Sequence, residues 1–397
     1  MPVGRRKLPG VLLLTLSTLG ILFSALLAGG LFIWLLSADR PAALIEEEIS
    51  SAAVSASALL AALLNIPALV LSIRYLSGKP IPPARPETRK FSAYLMATWL
   101  AVLLAGGAAA QREHLRWLLI PLGLPAVFLP IGWMVSRARR GLARPSLLRE
   151  WGTLTVGLTV VPGLILMLEF ILLMIAIAAV VILLGFNPAL LERLTSLPAI
   201  LGNMPDGIEG LENAFSAFSK EPVIIGAMYV ILGLAVPFVE ELLKPLAVWL
   251  LAPKKIAPAE GYSLGLISGG AFALLESGAL VSQMSNEVWL SVVALRGIAS
   301  LLHIGLSGWV GYGIASAFNQ KRPRPLLASL LGAIVLHGVW NSITLASGLS
   351  AIPLAGEPGL DLAPRSAGLV LFVMGAILMA IVVINLRINR SLRSQHK

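Results

Sequence analysis

The segment Val223–Leu250 reads VIIGAMYVILGLAVPFVEELLKPLAVWL. Apart from Glu240, Glu241 and Lys244 it is apolar from end to end, and it exceeds the about 20 residues that a helix needs to cross a bilayer core about 30 Å thick. It reads as a transmembrane helix. A charge at the centre of such a helix costs roughly 3 kcal/mol on insertion scales, so residues of this kind face the protein interior, pair with one another and mark function. Glu240 and Lys244 are one turn apart on the same face. Glu241 lies about 100° round the helix from Glu240. One carboxylate would be enough to pair the lysine, which leaves the second without a structural role. Pro245 frees a backbone carbonyl near Glu241 and loosens the helix there.

Segments of the same kind recur outward from this one. Of 397 residues, 57% are hydrophobic and 13% charged, with mean hydropathy +0.87. A soluble domain of that length would need more charge to cover its surface. The pattern predicts spans at Val11–Ser37, Ala52–Leu76, Phe91–Ala110, Trp117–Ser136, Leu154–Leu184, Val223–Leu250, Tyr262–Val281, Val288–Phe318, Leu326–Leu349 and Ala367–Ile388. The expected fold class is therefore all-α, a polytopic transmembrane bundle of about ten spans. The fifth and eighth are long enough to tilt or break, and Pro162 is placed to kink the fifth. The first follows Arg5, Arg6 and Lys7, as a signal peptide would. It is longer than the apolar region of about 7–15 residues in such peptides, so it reads as an uncleaved helix.

The distribution of charge gives the orientation. The chain has 30 lysines and arginines and a net charge of +10. Of these 30, 22 fall at the termini, in alternate loops or, as Arg74 and Arg387 do, at the span ends beside them, among them Arg85, Arg89, Lys90, Arg137, Arg139, Arg140, Lys254, Lys255, Lys321, Arg322 and Arg324. The opposite loops hold Arg40, Arg112, Arg116, Arg193, Lys220 and Arg365. Basic loops stay on the cytoplasmic side, so both termini are expected there, in a bacterial-type plasma membrane. Basic residues confined to loops between apolar spans argue against a nucleic-acid partner; the partner implied is the lipid bilayer. The chain has no cysteine, which excludes disulfides, thiolate chemistry and Cys metal sites. Glu46, Glu47 and Glu48, and Asp206, Glu209, Glu212 and Glu221 in the longest outer loop, read as solvated translocated surface.

Three further spans carry polar groups. The seventh holds Phe272 and Glu276, with Gly269 and Gly270 allowing close approach of another helix. The eighth holds Arg296 and His303, seven apart and nearly on one face, and the ninth holds His337 and Asn341, four apart. His114 and His396 fall in a loop and the tail and read as surface. A single intramembrane histidine is more often a structural hydrogen-bonder. Two of them, with three carboxylates on neighbouring spans, favour a site. Imidazoles and carboxylates are ligands for zinc-type metals, and a site with an open position activates water. Without metal, a carboxylate beside a histidine can take a proton from water and pass it to a leaving amine. The G-x-S-x-G and H-E-x-x-H patterns of serine hydrolases and zinc helices are absent.

Glu240-Glu241-x-x-Lys244, Phe272-x-x-x-Glu276, His303 and His337-x-x-x-Asn341, in this order on four consecutive spans, resemble the PrsW family of bacterial intramembrane proteases. That family is related to the CAAX-protease and bacteriocin-processing group. The resemblance covers roughly residues 220–345. It implies an endopeptidase acting on a membrane-anchored protein, an anti-sigma factor in the founding case. By resemblance Glu240 and Glu241 are the paired glutamates, one of them the water activator, and Lys244 balances them. Glu276 is the acid of the second motif, and His303 and His337 bind metal or stabilise an oxyanion. If a metal is used, zinc being the candidate, its ligands would be Glu240, His303 and His337. Arg296, Phe272 and Asn341 support the site, and Asn341, being neutral, is a poor metal ligand. Residues 1–220 form an N-terminal five-span region without assigned role, which includes Glu169. Residues 221–350 form the catalytic core, and 351–397 the last span and basic tail. A proton- or cation-coupled transporter is the main alternative, since the same groups build proton relays. No matching halves of the kind common in transporters are visible. A catalytically silent helix-binding scaffold is the third reading, and retention of every motif residue argues against it.

Overall fold

The computed structural model describes residues 3–36, 45–84, 88–186, 192, 222–281, 289–351 and 364–394. All regular structure among them is helical. In chain order the helices are α1 (Val3–Leu36), α2 (Ile45–Leu76), α3 (Arg89–Ala110), α4 (Leu119–Ala138), α5 (Leu147–Gly185), α6 (Pro222–Val230), α7 (Val236–Leu243), α8 (Leu246–Leu251), α9 (Pro258–Val281), α10 (Trp289–Gln320), α11 (Pro323–Ala351) and α12 (Pro364–Ser394). Helices α6 to α8 follow one another as a single interrupted rod, so the long helices number ten. The acidic residues Asp206, Glu209, Glu212 and Glu221, with Arg40, Arg193, Lys220 and His396, lie outside the described residues, as do the side chains of Glu46, Glu47 and Glu48.

Eight of the ten are long and apolar enough to cross a membrane. The expected fourth and seventh spans, α4 and α9, are helices but are not among the eight. Helix α4 has 20 residues, contains Pro125 and Pro130, and has Arg137 in its last turn. Helix α9 carries Glu260, Glu276, serines and glycines in place of aliphatic bulk. It needs no lipid-matching surface: Leu264, Leu266, Ala271 and Ala273 on its different faces have no exposed area.

The chain divides into two compact units interleaved in sequence. The first comprises Met1–Gly163, Leu242–Leu330 and Ala380–Lys397. At its centre α9 and α10 pack backbone to backbone. A Cβ added at Gly261 would lie under 3.0 Å from the carbonyl of Gly311, one at Gly265 equally close to that of Ser307, and one at Gly269 to that of His303. The spacing Gly261-x-x-x-Gly265-x-x-x-Gly269 puts all three on one face, the arrangement that lets helices in lipid approach closely. Around this pair, α4 contributes Ile131 and α12 contributes Ile388 and Leu392 to a core with Tyr262, Leu266 and Ile304. Tyr262 Oη donates to Asn385 Oδ1 at 3.0 Å, and Asn385 Nδ2 donates to the Gly305 carbonyl at 3.2 Å. Trp289 of α10 lies over Gly106 of α3.

The second unit comprises Leu164–Glu241 and Leu331–Met379. Its described part holds the later half of α5, which carries the half-buried Glu169, with α6, the start of α7, most of α11 and the start of α12. Between α6 and α7 the backbone makes a π turn at Ile231–Ala235, closed by the Val236 amide on the Ile231 carbonyl. Proline at 237 has no amide to offer the Leu232 carbonyl. The Asn341 side chain supplies it instead, with Nδ2 donating to Leu232 O at 3.1 Å. Gly338 of α11 sits against the Gly233 carbonyl, and a Cβ at 338 would collide with it. Helix α11 is thus pinned to the π turn one residue away from His337.

Candidate active site

The two glutamates lie between two irregularities of one rod. The π turn precedes them, and the helix stops at Leu243 and restarts at Leu246, because Pro245 cannot donate to the Glu241 carbonyl. Carbonyls released by this break are taken up locally. Trp249 Nε1 donates to Leu242 O at 3.0 Å, and Ser268 Oγ of α9 donates to Lys244 O. π turns recur at functional sites because they rotate the residues that follow relative to a regular helix.

In the second unit, Glu240, Glu241 and His337 form one buried group. His337 Nδ1 is 2.9 Å from Glu241 Oε1, and His337 Nε2 is 3.9 Å from Glu240 Oε2. Glu241 has no exposed area, His337 is 2% exposed and Glu240 8%. A neutral imidazole that donates from Nδ1 to a carboxylate presents an Nε2 lone pair, the arrangement found where histidine ligates a metal. The ligand atoms of the three residues lie within 4.8 Å of one another.

In the first unit, the buried Lys244, Phe272 and His303 form a second group with Arg296 and Glu276, whose side chain is 36% exposed. Lys244 Nζ is 2.8 Å from His303 Nδ1, His303 Nε2 is 2.7 Å from Glu276 Oε2, and Arg296 Nη2 is 2.8 Å from the same oxygen. An ammonium only donates, so Nδ1 accepts from Lys244 and the imidazole proton sits on Nε2, toward Glu276. Arg296 also reaches Ser277 Oγ at 3.2 Å. The Phe272 ring meets the imidazole edge-on at 5.2 Å, and Lys244 Nζ lies 4.7 Å above the same ring. Lys244 is completely buried, and its ammonium meets both an imidazole and an aromatic face. The Gly269 contact with the His303 backbone brings α10 close enough to α9 for this chain of contacts.

Glu240, Glu241, His303 and His337 are all buried, and each offers a metal-ligating atom. The donor set of carboxylate oxygens and imidazole nitrogens, with no sulfur, suits zinc or a similar divalent ion. The 3.9 Å between His337 Nε2 and Glu240 Oε2 is too long for a hydrogen bond. It is within reach for two ligands of one ion at about 2.0–2.2 Å each. His303 differs, since each of its nitrogens already faces a protein partner.

The sequence pointed to Glu240, Glu241, Lys244, Phe272, Glu276, Arg296, His303 and His337. Asn341 was expected beside the catalytic groups; it is engaged with the Leu232 carbonyl, one turn from His337. Ser268 and Ser277 were not anticipated, nor were Gly261, Gly265, Gly233 and Gly338. For the α9 glycines the four-residue spacing was the available signal. Nothing in the sequence marks two serines out among so many. His114 is exposed on a 3-10 turn, as expected of a surface residue.

Buried carboxylates and imidazoles on helices of membrane-crossing length place the chain among polytopic membrane proteins with an acid–imidazole centre. The family model described as PrsW family intramembrane metalloprotease matches residues 162–384, more than half of the chain. The chain belongs to this family of multi-pass membrane proteases. No curated protein and no solved structure matches it.

Proposed function

We propose that the chain hydrolyses a peptide bond in a membrane-anchored protein substrate, with Glu240, Glu241 and His337 at the centre of the chemistry. The observation that carries this reading is the His337–Glu241 pair at 2.9 Å, with Nε2 turned to the Glu240 side. Glu240 takes a proton from water as the oxygen attacks the carbonyl carbon. The same proton passes to the departing amine as the C–N bond breaks. Glu241 fixes the tautomer and direction of His337. Glu276 and Arg296 hold His303, and His303 holds Lys244, whose ammonium offsets the negative charge that develops in the transition state.

Glu240 and His337 are the residues that would hold a divalent metal, zinc by donor chemistry. By the family resemblance His303 is a further candidate ligand, although both its nitrogens already have protein partners. Such an ion, when bound, would polarise the scissile carbonyl as a Lewis acid and acidify water. Glu240 has two oxygens, so holding an ion through one leaves the other for the proton. In the proposed topology all ten long helices cross the plasma membrane of a bacterial-type cell, with both termini cytoplasmic as the positive-inside rule requires. The four-helix core 221–350 carries the chemistry, and a single-span protein of anti-sigma-factor type is the substrate class.

The test is co-expression of the full chain with a panel of single-span substrates, with metal analysis of the purified protein. We expect cleavage by the parent and none by Glu240→Ala or His337→Ala at matched expression, with metal content reduced in both variants. Cleavage at the parent rate by either variant would overturn the assignment.

A further inference from the structure

The first unit contains a cavity of about 490 Å³ between α4, α10 and the end of α12. None of the catalytic candidates lines it. Its wall is mainly aliphatic, with Leu266, Ile304, Ile381 and Leu386. Leu386 is 44% exposed on the outer side, so the cavity opens where a lipid-facing helix surface begins. At one end the character changes, and Arg137, Arg390 and Arg393 come together from α4 and α12. No acidic residue lines the cavity, and among the described residues no carboxylate pairs with any of the three arginines. The two asparagines there are already engaged. Asn385 Nδ2 donates to the Ile381 carbonyl at 2.8 Å, and Asn389 Nδ2 to that of Ala138 at 2.7 Å. Arg393 donates one N–H to the Arg140 carbonyl and keeps four.

We propose that this cavity binds an anionic phospholipid, with an acyl chain along the aliphatic wall and the headgroup phosphate on the arginines. Charge complementarity identifies the occupant. Three guanidiniums without counter-ions at the end of an apolar shaft match one molecule that has a phosphate at one end and a hydrocarbon chain at the other. Guanidinium forks are the preferred ligands of phosphate oxygens. Basic pockets between transmembrane helices at the headgroup level select acidic lipids in the same way. A free phosphate would gain nothing from the aliphatic wall. A zwitterionic lipid would bring a choline cation toward three arginines.

The test is native mass spectrometry of the full chain in detergent, with added phosphatidylglycerol, phosphatidylcholine or inorganic phosphate. We expect one phosphatidylglycerol retained per chain, in clear excess over phosphatidylcholine, and not displaced by inorganic phosphate at equal concentration. Arg137 and Arg390 are exposed, so R137Q and R390Q should fold, and each should lower retention about fivefold. L386W narrows the shaft without touching the headgroup end and should also lower it. Equal retention of the two lipids, unchanged retention in both arginine variants, or displacement by inorganic phosphate would overturn the proposal.

Discussion

A buried carboxylate beside an imidazole does work that depends on which atom holds the proton. Glu241 sets that for His337, as the 2.9 Å contact at Nδ1 indicates. Glu241→Gln keeps the shape but offers a weaker acceptor and can turn the wrong end of its amide to the ring. We expect cleavage to fall roughly 10–100-fold, with metal affinity falling alongside, as for other carboxylates behind ligating histidines. A rate within twofold of the parent would contradict the role. Lys244 answers to a different measurement. Truncating one member of a buried charged group costs about 3–5 kcal/mol, because it strands the others. Lys244→Ala should therefore lower the melting temperature or fail to accumulate. Lys244→Met, which refills the volume, should recover part of the stability and none of the activity. Recovered activity in the methionine variant would exclude the ammonium from catalysis.

Helices α9 and α10 bring Glu276 and His303 together through absent side chains. At Gly265 a Cβ would meet the Ser307 backbone, which cannot retreat as a flexible side chain would. Gly265→Val should push the helices apart, at a cost of about 1–3 kcal/mol, and should abolish cleavage although residue 265 touches no catalytic group. Normal activity would mean that the helix spacing is not what sets the His303–Glu276 contact. This element was partly legible beforehand. The apolar runs marked α9 and α10 as helices, and Glu276 and His303 stood out against them. Their pairing was suggested only by the order of the motifs, since spacing within one helix says nothing of which neighbour it faces. The π turn before Glu240 was not legible at all. It depends on Asn341, over a hundred residues later, supplying the amide that Pro237 lacks. Asn341→Leu leaves the Leu232 carbonyl without that donor and should cost about 1–3 kcal/mol, seen as a lower melting temperature.

Among the described residues, the number of long helices followed from apolar length alone, and eight have the composition of autonomous spans. Helix α9 does not, because a helix enclosed by protein is free to exchange aliphatic bulk for glycine, serine and acid. That same freedom is what allows it to carry Glu276. The proposed orientation, with both termini cytoplasmic, makes its own demand: a reporter active only on the outer side of the membrane should be silent when fused after residue 397, and activity there would reverse the topology. The proteolytic claim is tested most directly with purified protein reconstituted in lipid vesicles with single-span test substrates, in water enriched in ¹⁸O. A product whose new carboxyl terminus carries the label, formed by the parent and absent with Glu240→Gln, is the expected result. Labelled product formed at the same rate by Glu240→Gln would contradict the account.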